Sequence, residues 1–127
     1  MLKTSCEKRK GFEVLHNSED WRLAIHAYEP EINGVPSLKN WGRHLDSQEA
    51  FLLLNGKGWL ATCDDNGSYE VADLSRTEIL IVEKGERHAI LLAEGASALI
   101  VENKDMSNSV NEEMEPEVVD AILAKIK

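Results

Sequence analysis

Hydrophobic and polar residues alternate along much of the chain with the period of a β-strand. In Trp21–Tyr28 the side chains of Leu23, Ile25 and Ala27 alternate with the other residues of the segment, and a period of two is typical of strands. Further short hydrophobic runs, separated by turn residues, predict strands at residues 49–54, 59–63, 69–74, 79–82, 88–93 and 96–102. This series predicts an all-β sandwich or barrel, and the lack of a helical period between the strands disfavours a βαβ fold.

The C-terminal part of the chain has a different pattern. Residues 103–113 are mostly polar, and we expect them to form a surface loop. A short α-helix is predicted over residues 116–126, because Pro116 is tolerated in a first helical turn. Its hydrophobic residues fall on one face at helical spacing, which predicts packing on the outside of the barrel or on a partner subunit. These residues are Val118, Val119, Ile122, Leu123 and Ile126.

Composition limits both the domain count and the classes of partner. The 127 residues, of which 43% are hydrophobic, fit one domain (residues 1–127), with the barrel at about 12–103. The formal net charge of −9 gives an acidic surface that repels phosphate backbones and anionic lipid headgroups. We therefore expect no nucleic-acid partner and no membrane partner, whereas a local pocket can still accept a small molecule, including an anionic one.

The cysteines and the N-terminal segment favour a reducing compartment. Cys6 and Cys63 are far apart and form no CxxC pattern, so they predict no disulfide scaffold. Residues 1–11 lack the apolar stretch of a signal peptide, and no apolar run approaches the length that spans a bilayer. The expected localisation is cytoplasmic.

Two of the four histidines stand at positions that favour a shared site. A four-residue connection, Leu45–Gln48, joins His44 to Glu49; between antiparallel strands it would set the two side chains opposite each other. A tight turn at Gly85 would deliver His88 at the start of a later strand. Two imidazoles and one carboxylate suit a divalent metal and match the facial arrangement that leaves coordination positions open for substrate.

The two segments that hold these residues resemble the paired motifs of the cupin family. Asn40–Gly56, NWGRHLDSQEAFLLLNG, is similar to the first motif, and Glu83–His88 is similar to the second. The resemblance covers roughly residues 21–103 and is strongest to small single-domain cupins of the mannose-6-phosphate isomerase-like, RmlC-like type. It implies a double-stranded β-helix (a jelly-roll barrel) with a C-terminal helix, and commonly a homodimer.

The resemblance also implies a ligand set for a divalent metal such as Zn, Fe, Mn or Ni. His44 matches the second histidine of the first motif, Glu49 its glutamate, and His88 the histidine of the second motif. The first histidine of the first motif falls on Gly42, so one of the usual four ligands is missing. Other candidate residues of the pocket, some of which can offer a substitute donor, are His26, Asn40, Asp46 and Phe51.

Three hypotheses about function follow. The first is a binding protein that holds a divalent metal or a small polar ligand in the barrel through His44, Glu49 and His88. The second is a metal-dependent enzyme, of sugar isomerase or dioxygenase type, that acts on a small sugar or organic acid. The third is a structural, dimer-forming domain in which the two histidines hydrogen-bond Glu49 without a metal. The fold does not choose among them.

Overall fold

The structure is a computed structural model that describes residues 1–126. Its strands are β1 (Gly11–Asn17), β2 (Trp21–Ala27), β3 (Asn40–His44), β4 (Glu49–Asn55), β5 (Gly58–Cys63), β6 (Tyr69–Asp73), β7 (Leu80–Val82), β8 (Arg87–Leu92), β9 (Ser97–Asn103) and β10 (Ser109–Glu113). Helix α1 (Pro30–Asn33) is one turn long and is followed by a 3-10 turn at Val35–Ser37, and helix α2 spans Pro116–Lys125. No helix within the described residues is long and apolar enough to cross a bilayer.

The strands form two antiparallel five-stranded sheets that face each other. The first sheet has the order β1-β2-β9-β4-β7 and the second has the order β10-β3-β8-β5-β6. Alternate side chains of each strand point into the space between the sheets, which is why Phe51 and Ile100 are buried while their neighbours are more exposed. The all-β prediction with a C-terminal helix is confirmed.

Helix α2 covers the outer face of the second sheet. Ile122 is fully buried there against a cluster that includes Trp41 and Leu91. The helical spacing of its hydrophobic residues predicted this packing, and the barrel, rather than a partner subunit, provides the surface. The helix thus gives the second sheet a core on both of its faces.

The expectation of a surface loop at residues 103–113 is wrong for its second half. Strand β10 lies there, pairs with β3 along its length, and extends the barrel beyond residue 103. It lacks a hydrophobic alternation because it is an edge strand with polar surroundings on both faces. Ser109 and Asn111 line a cavity, and Glu112 faces the two arginines Arg43 and Arg87.

Candidate metal centre

Two strands of one sheet and one strand of the other bring His44, Glu49 and His88 together. His44 ends β3, His88 lies in β8 directly opposite Gly42 of β3, and Glu49 begins β4 in the facing sheet. The Nε2 atoms of His44 and His88 lie 2.8 Å and 3.2 Å from the same carboxylate oxygen, Glu49 Oε1. The side chains of Glu49 and His88 are less than a tenth exposed.

The interpretation of residues 44–49 as a hairpin is wrong, although the two residues do meet. Strands β3 and β4 belong to different sheets, so the Leu45–Gln48 connection crosses from one layer to the other. His44 and Glu49 therefore approach each other through the interior of the barrel and not along a shared sheet. The consequence is that the site bridges the two layers.

Hydrogen bonds at the far side of each ring fix the tautomers of the two histidines. The backbone oxygen of Glu86 lies 3.2 Å from His88 Nδ1, and a carbonyl oxygen can only accept, so Nδ1 carries the proton. The Ser109 hydroxyl donates to the backbone oxygen of Met106 and therefore accepts from His44 Nδ1 at 2.8 Å. When the rings are neutral, their Nε2 lone pairs are free and point towards Glu49, as in metal sites whose ligands are oriented in this way. A ring that takes up a second proton donates it from Nε2 to Glu49 instead.

The shared carboxylate oxygen is an unsatisfied acceptor. Glu49 Oε1 is fully buried, yet neither imidazole reaches it with the geometry of a hydrogen bond. Three acceptor atoms thus converge, all within 4.8 Å of one another. Ligand atoms placed about 2.1 Å from a divalent ion stand roughly 3 Å apart, so this donor set fits a divalent metal ion.

The charges at the site keep Glu49 ionised. Burial alone would raise the pKa of the Glu49 carboxyl, but its contacts with His44 and His88 outweigh burial and lower that pKa to about 2. Burial likewise opposes protonation of His88, but the adjacent Glu49 carboxylate prevails and raises the pKa of His88 above its usual value. A proton and a metal ion therefore compete for His88 Nε2, which is the usual situation of a metal ligand.

A cavity of about 460 Å³ opens beside the three residues. Of the additional residues predicted for it, His26, Asn40 and Phe51 do line the cavity. Asp46 is not among its lining residues; its exposed carboxylate accepts a hydrogen bond from the Asn108 amide at 2.8 Å. The loop crosses between the sheets after His44, and this places Asp46 on the surface.

Comparison with solved structures identifies the architecture. A cupin-2 domain protein from Shewanella frigidimarina NCIMB 400 is 20% identical with a TM-score of 0.56, and the match covers 74% of this chain and 80% of that one. The chain has a cupin fold. Its match to Fe(II)-HppE with the alternative substrate (S)-1-HPP has 17% identity and a TM-score of 0.55, covering 80% of this chain and 54% of that one.

A Bacillus subtilis oxalate decarboxylase, OxdC, shares the same fold. It is 20% identical with a TM-score of 0.57, and the match covers 95% of this chain but 34% of that one. The chain therefore spans about half of the HppE chain and a third of the decarboxylase chain. No protein-family model matches the sequence, and no curated protein sequence matches it significantly.

His26 faces the cavity as a hydrogen-bond donor. The backbone N–H of Glu29 donates to Asn33 Oδ1, so the Asn33 amide nitrogen must face His26 Nδ1, 3.2 Å away. His26 Nδ1 therefore accepts, and the neutral ring carries its proton on Nε2. Burial lowers the pKa of His26 to about 4, with charged Glu49 opposing this shift and His88 adding to it. His26 accordingly does not offer a free lone pair to a metal.

We expect His26 to make the metal-free protein less stable in acid. Its pKa is lower in the folded chain, so the unfolded chain binds more protons between pH 6.5 and pH 4, and the stability present above this window is lost as the pH falls through it. The loss should be about 3 kcal/mol, because each unit between the two pKa values, 6.5 and about 4, corresponds to about 1.4 kcal/mol. Urea unfolding in the presence of a chelator measures it. His26→Gln should flatten the pH dependence, and an unchanged slope in this variant would contradict the assignment.

An ion pair in the cavity escaped the sequence reasoning. Arg22 of β2 donates to the buried carboxylate of Glu102 in β9, with its Nε 2.5 Å from Glu102 Oε2. Burial raises the pKa of Glu102, and the nearby Glu49 carboxylate raises it further. The sequence does contain a signal for this ion pair. Glu102 is an acidic residue in a hydrophobic strand, and it faces inward like Ala98 and Ile100, with which it alternates.

The two arginines beside the ligand histidines point away from the site, because successive residues of a strand face opposite sides of the sheet. On the outer face of the second sheet, Arg43 Nη1 and Arg87 Nε each lie 2.8 Å from a different oxygen of Glu112. Asp65 of the β5–β6 turn joins this network through Arg87 at 3.0 Å. The network ties the edge strand β10 to β3 and β8.

Proposed function

We propose that this protein binds one divalent metal ion through His44 Nε2, His88 Nε2 and the Glu49 carboxylate. The observation that supports it most directly is the convergence of two free imidazole lone pairs on a buried, unsatisfied carboxylate oxygen. A metal-free barrel, in which the histidines hydrogen-bond Glu49, would require a proton on at least one Nε2. It would also leave Glu49 Oε1 without a well-oriented hydrogen bond. A cation satisfies all three groups together.

We further propose that a small polar ligand binds in the cavity next to these residues. Two histidines and one carboxylate leave coordination positions open, and a bound divalent ion supplies Lewis acidity to whatever occupies them. Around that position the chain offers His26 Nε2–H as a donor, Arg22 as a cation, and Phe51 as an apolar wall. Ser109 and the Glu86 carbonyl hold the imidazoles in place.

A second candidate function is catalysis by the bound metal on a small sugar or organic acid. The observation that favours it is the volume of the cavity, about 460 Å³, which exceeds what a structural metal needs. Structural sites are closed by protein ligands, whereas catalytic sites keep a position open. Fe(II), Zn(II), Mn(II) and Ni(II) all suit the donor types, and Fe(II) is the first to test because Fe(II)-HppE has the same fold.

Metal titration of the purified protein tests the proposed function. Calorimetry of protein that has been stripped with a chelator should show one site per chain for at least one of these four ions, under anaerobic conditions for Fe(II). Binding should also raise the midpoint of thermal unfolding, because the ion binds the folded chain. If none of the four ions binds, the proposal is wrong.

We also infer that two copies associate through the outer face of the first sheet. In register across four strands, this face presents Leu23, Val101, Ala50 and Ile81, and none of them is charged. Ile81 is 57% exposed and Val101 is 40% exposed, which is unusual for neighbouring aliphatic residues. Two chains of net charge −9 repel each other, so an uncharged and self-complementary face is where a second copy can approach.

Sedimentation measures this association. The wild-type protein should sediment with twice the mass of one chain, and Ile81→Lys should convert it to a monomer, because a lysine on this face would be desolvated opposite another copy. Lys57→Ala, a change outside the face, is the control. A monomeric wild-type protein at tens of micromolar would show that no stable dimer forms.

The two cysteines support the prediction of a reducing compartment. Cys6 is exposed and Cys63 is partly buried, and both are free thiols. Burial raises the pKa of the Cys63 thiol, which keeps it protonated and poorly reactive. We therefore infer that Cys63 is a packing residue of the second sheet and not a nucleophile.

A further inference from the structure

Gly42 leaves a gap in the row of side chains that faces the metal centre. Across the second sheet, Asn111 of β10 pairs with Gly42 of β3, and Gly42 pairs with His88 of β8. Residues in register on neighbouring strands point to the same face. Asn111 and His88 therefore stand on either side of a position that has no side chain.

The Asn111 amide leans into this gap. Its Oδ1 lies 4.0 Å from the point where a Cβ of residue 42 would be, and that point is also 4.0 Å from His88 Cε1. The Asn111 side chain lines the cavity and makes no hydrogen bond to any other residue between 1 and 126. The amide oxygen of this exposed side chain is thus separated from His88 only by the empty side-chain position of Gly42.

The other candidate donors are less suitable. His26 already accepts a hydrogen bond on Nδ1 and carries its proton on Nε2, and Asp46 does not line the cavity. Asn40 lies on the same face of β3 as Gly42 but two residues away, which is about 7 Å along the strand. Asn111 is the amide that lies directly across from the gap.

The fold holds β10 firmly enough for a ligand. On its inner face, Ser109 bonds His44, and on its outer face Glu112 binds both Arg43 and Arg87. Asn111 lies between these two anchored residues. Its backbone position is therefore fixed relative to both histidines, and only the side-chain torsions have to adjust.

We propose that Asn111 Oδ1 is the fourth protein ligand of the metal ion, in the place that the glycine at position 42 leaves without a donor. The inference rests on the proposed metal site. It changes the ligand set to two imidazoles, one carboxylate and one amide oxygen. Oxygen donors suit a harder ion such as Mn(II) better than a further imidazole does, so Asn111 shifts the selectivity of this site towards Mn(II).

Substitution of Asn111 tests the inference by two readouts that do not depend on activity. Calorimetry gives the affinity for Mn(II), and the visible absorption of bound Co(II) reports the number and type of ligands. Asn111→Ala should weaken Mn(II) binding at least about tenfold and change the Co(II) spectrum, whereas Asn111→Asp, which keeps an oxygen donor, should bind at least as tightly as the wild type. Asn103→Ala, which removes an amide from the outer face of β9, should change neither.

A double variant separates a ligand from a residue that merely shapes the cavity. In a protein that carries Gly42→His, the new imidazole supplies the fourth ligand. Adding Asn111→Ala to that protein should therefore weaken metal binding less than about threefold. Wild-type affinity and an unchanged Co(II) spectrum in Asn111→Ala alone would overturn the inference while leaving the three-ligand site intact. If the wild type binds no metal at all, the proposed function fails, and this inference fails with it.

Discussion

Alanine at position 88 should abolish tight binding of a divalent ion, with a dissociation constant at least about 1,000-fold above that of the wild type. Residues that only orient a metal ligand already contribute about 10–100-fold to the affinity. We propose His88 as a direct ligand, so its loss should cost more. His44→Ala should behave in the same way, because its Nε2 lies 2.8 Å from the same Glu49 oxygen. Calorimetry with the ion that the wild type binds best measures both.

Two further variants make this result specific. Glu49→Gln keeps the shape of the side chain and removes the negative charge, so it should lose binding as completely as His88→Ala. His16→Ala removes a histidine that packs on Trp21 away from the cavity, and it should bind like the wild type. Circular dichroism confirms that each variant is folded. Retention of wild-type affinity in a folded His44→Ala or His88→Ala would refute the ligand assignment.

Gly42→His should tighten metal binding by about 100-fold, the equivalent of about 2.7 kcal/mol. The substitution restores an imidazole on the inner face, directly opposite His88 and two residues before His44. A Cβ at position 42 would have its nearest neighbours at 3.8 Å and 4.0 Å, which is ordinary van der Waals contact. Nothing in the backbone there requires glycine, since the φ angle of Gly42 is not positive.

The control for this gain is a histidine placed nearby on the same face. Asn40→His adds an imidazole to the same strand and the same cavity, but farther from the ligands. It should leave the affinity nearly unchanged. If both variants tighten binding equally, the gain reflects a general effect of an added imidazole, and residue 42 is not the position from which an imidazole reaches the ion.

The sequence predicted that His88 stands at the start of a strand, because that position depends on local geometry. A turn at Gly85, which has a φ of +78°, determines where His88 emerges at the start of β8. Hydrophobic periodicity likewise predicted α2, because Ile122 and its neighbours must face the sheet. In these two elements, the turn and the hydrophobic face that the sequence pattern shows are also what determines the tertiary contact.

Long-range pairing was harder to infer. A four-residue connection such as Leu45–Gln48 is compatible with a hairpin or with a crossing between layers, and spacing does not distinguish them. Strand β10 was not predicted because it shows no hydrophobic alternation. Its side chains face the cavity on one side and an ion-pair network on the other. As a result Ser109 and Asn111, which act at the site only through β10, had no signal in the sequence pattern.

The crossing at Leu45–Gln48 has a mechanical consequence. Because the imidazoles belong to one sheet and the carboxylate to the other, any motion that parts the layers also pulls the ligand atoms away from each other. The free energy with which the ion binds is then added to the free energy needed to separate the two sheets. A ligand that needs the sheets slightly apart to enter the cavity would loosen the ion, and an ion that binds tightly would slow the entry of that ligand.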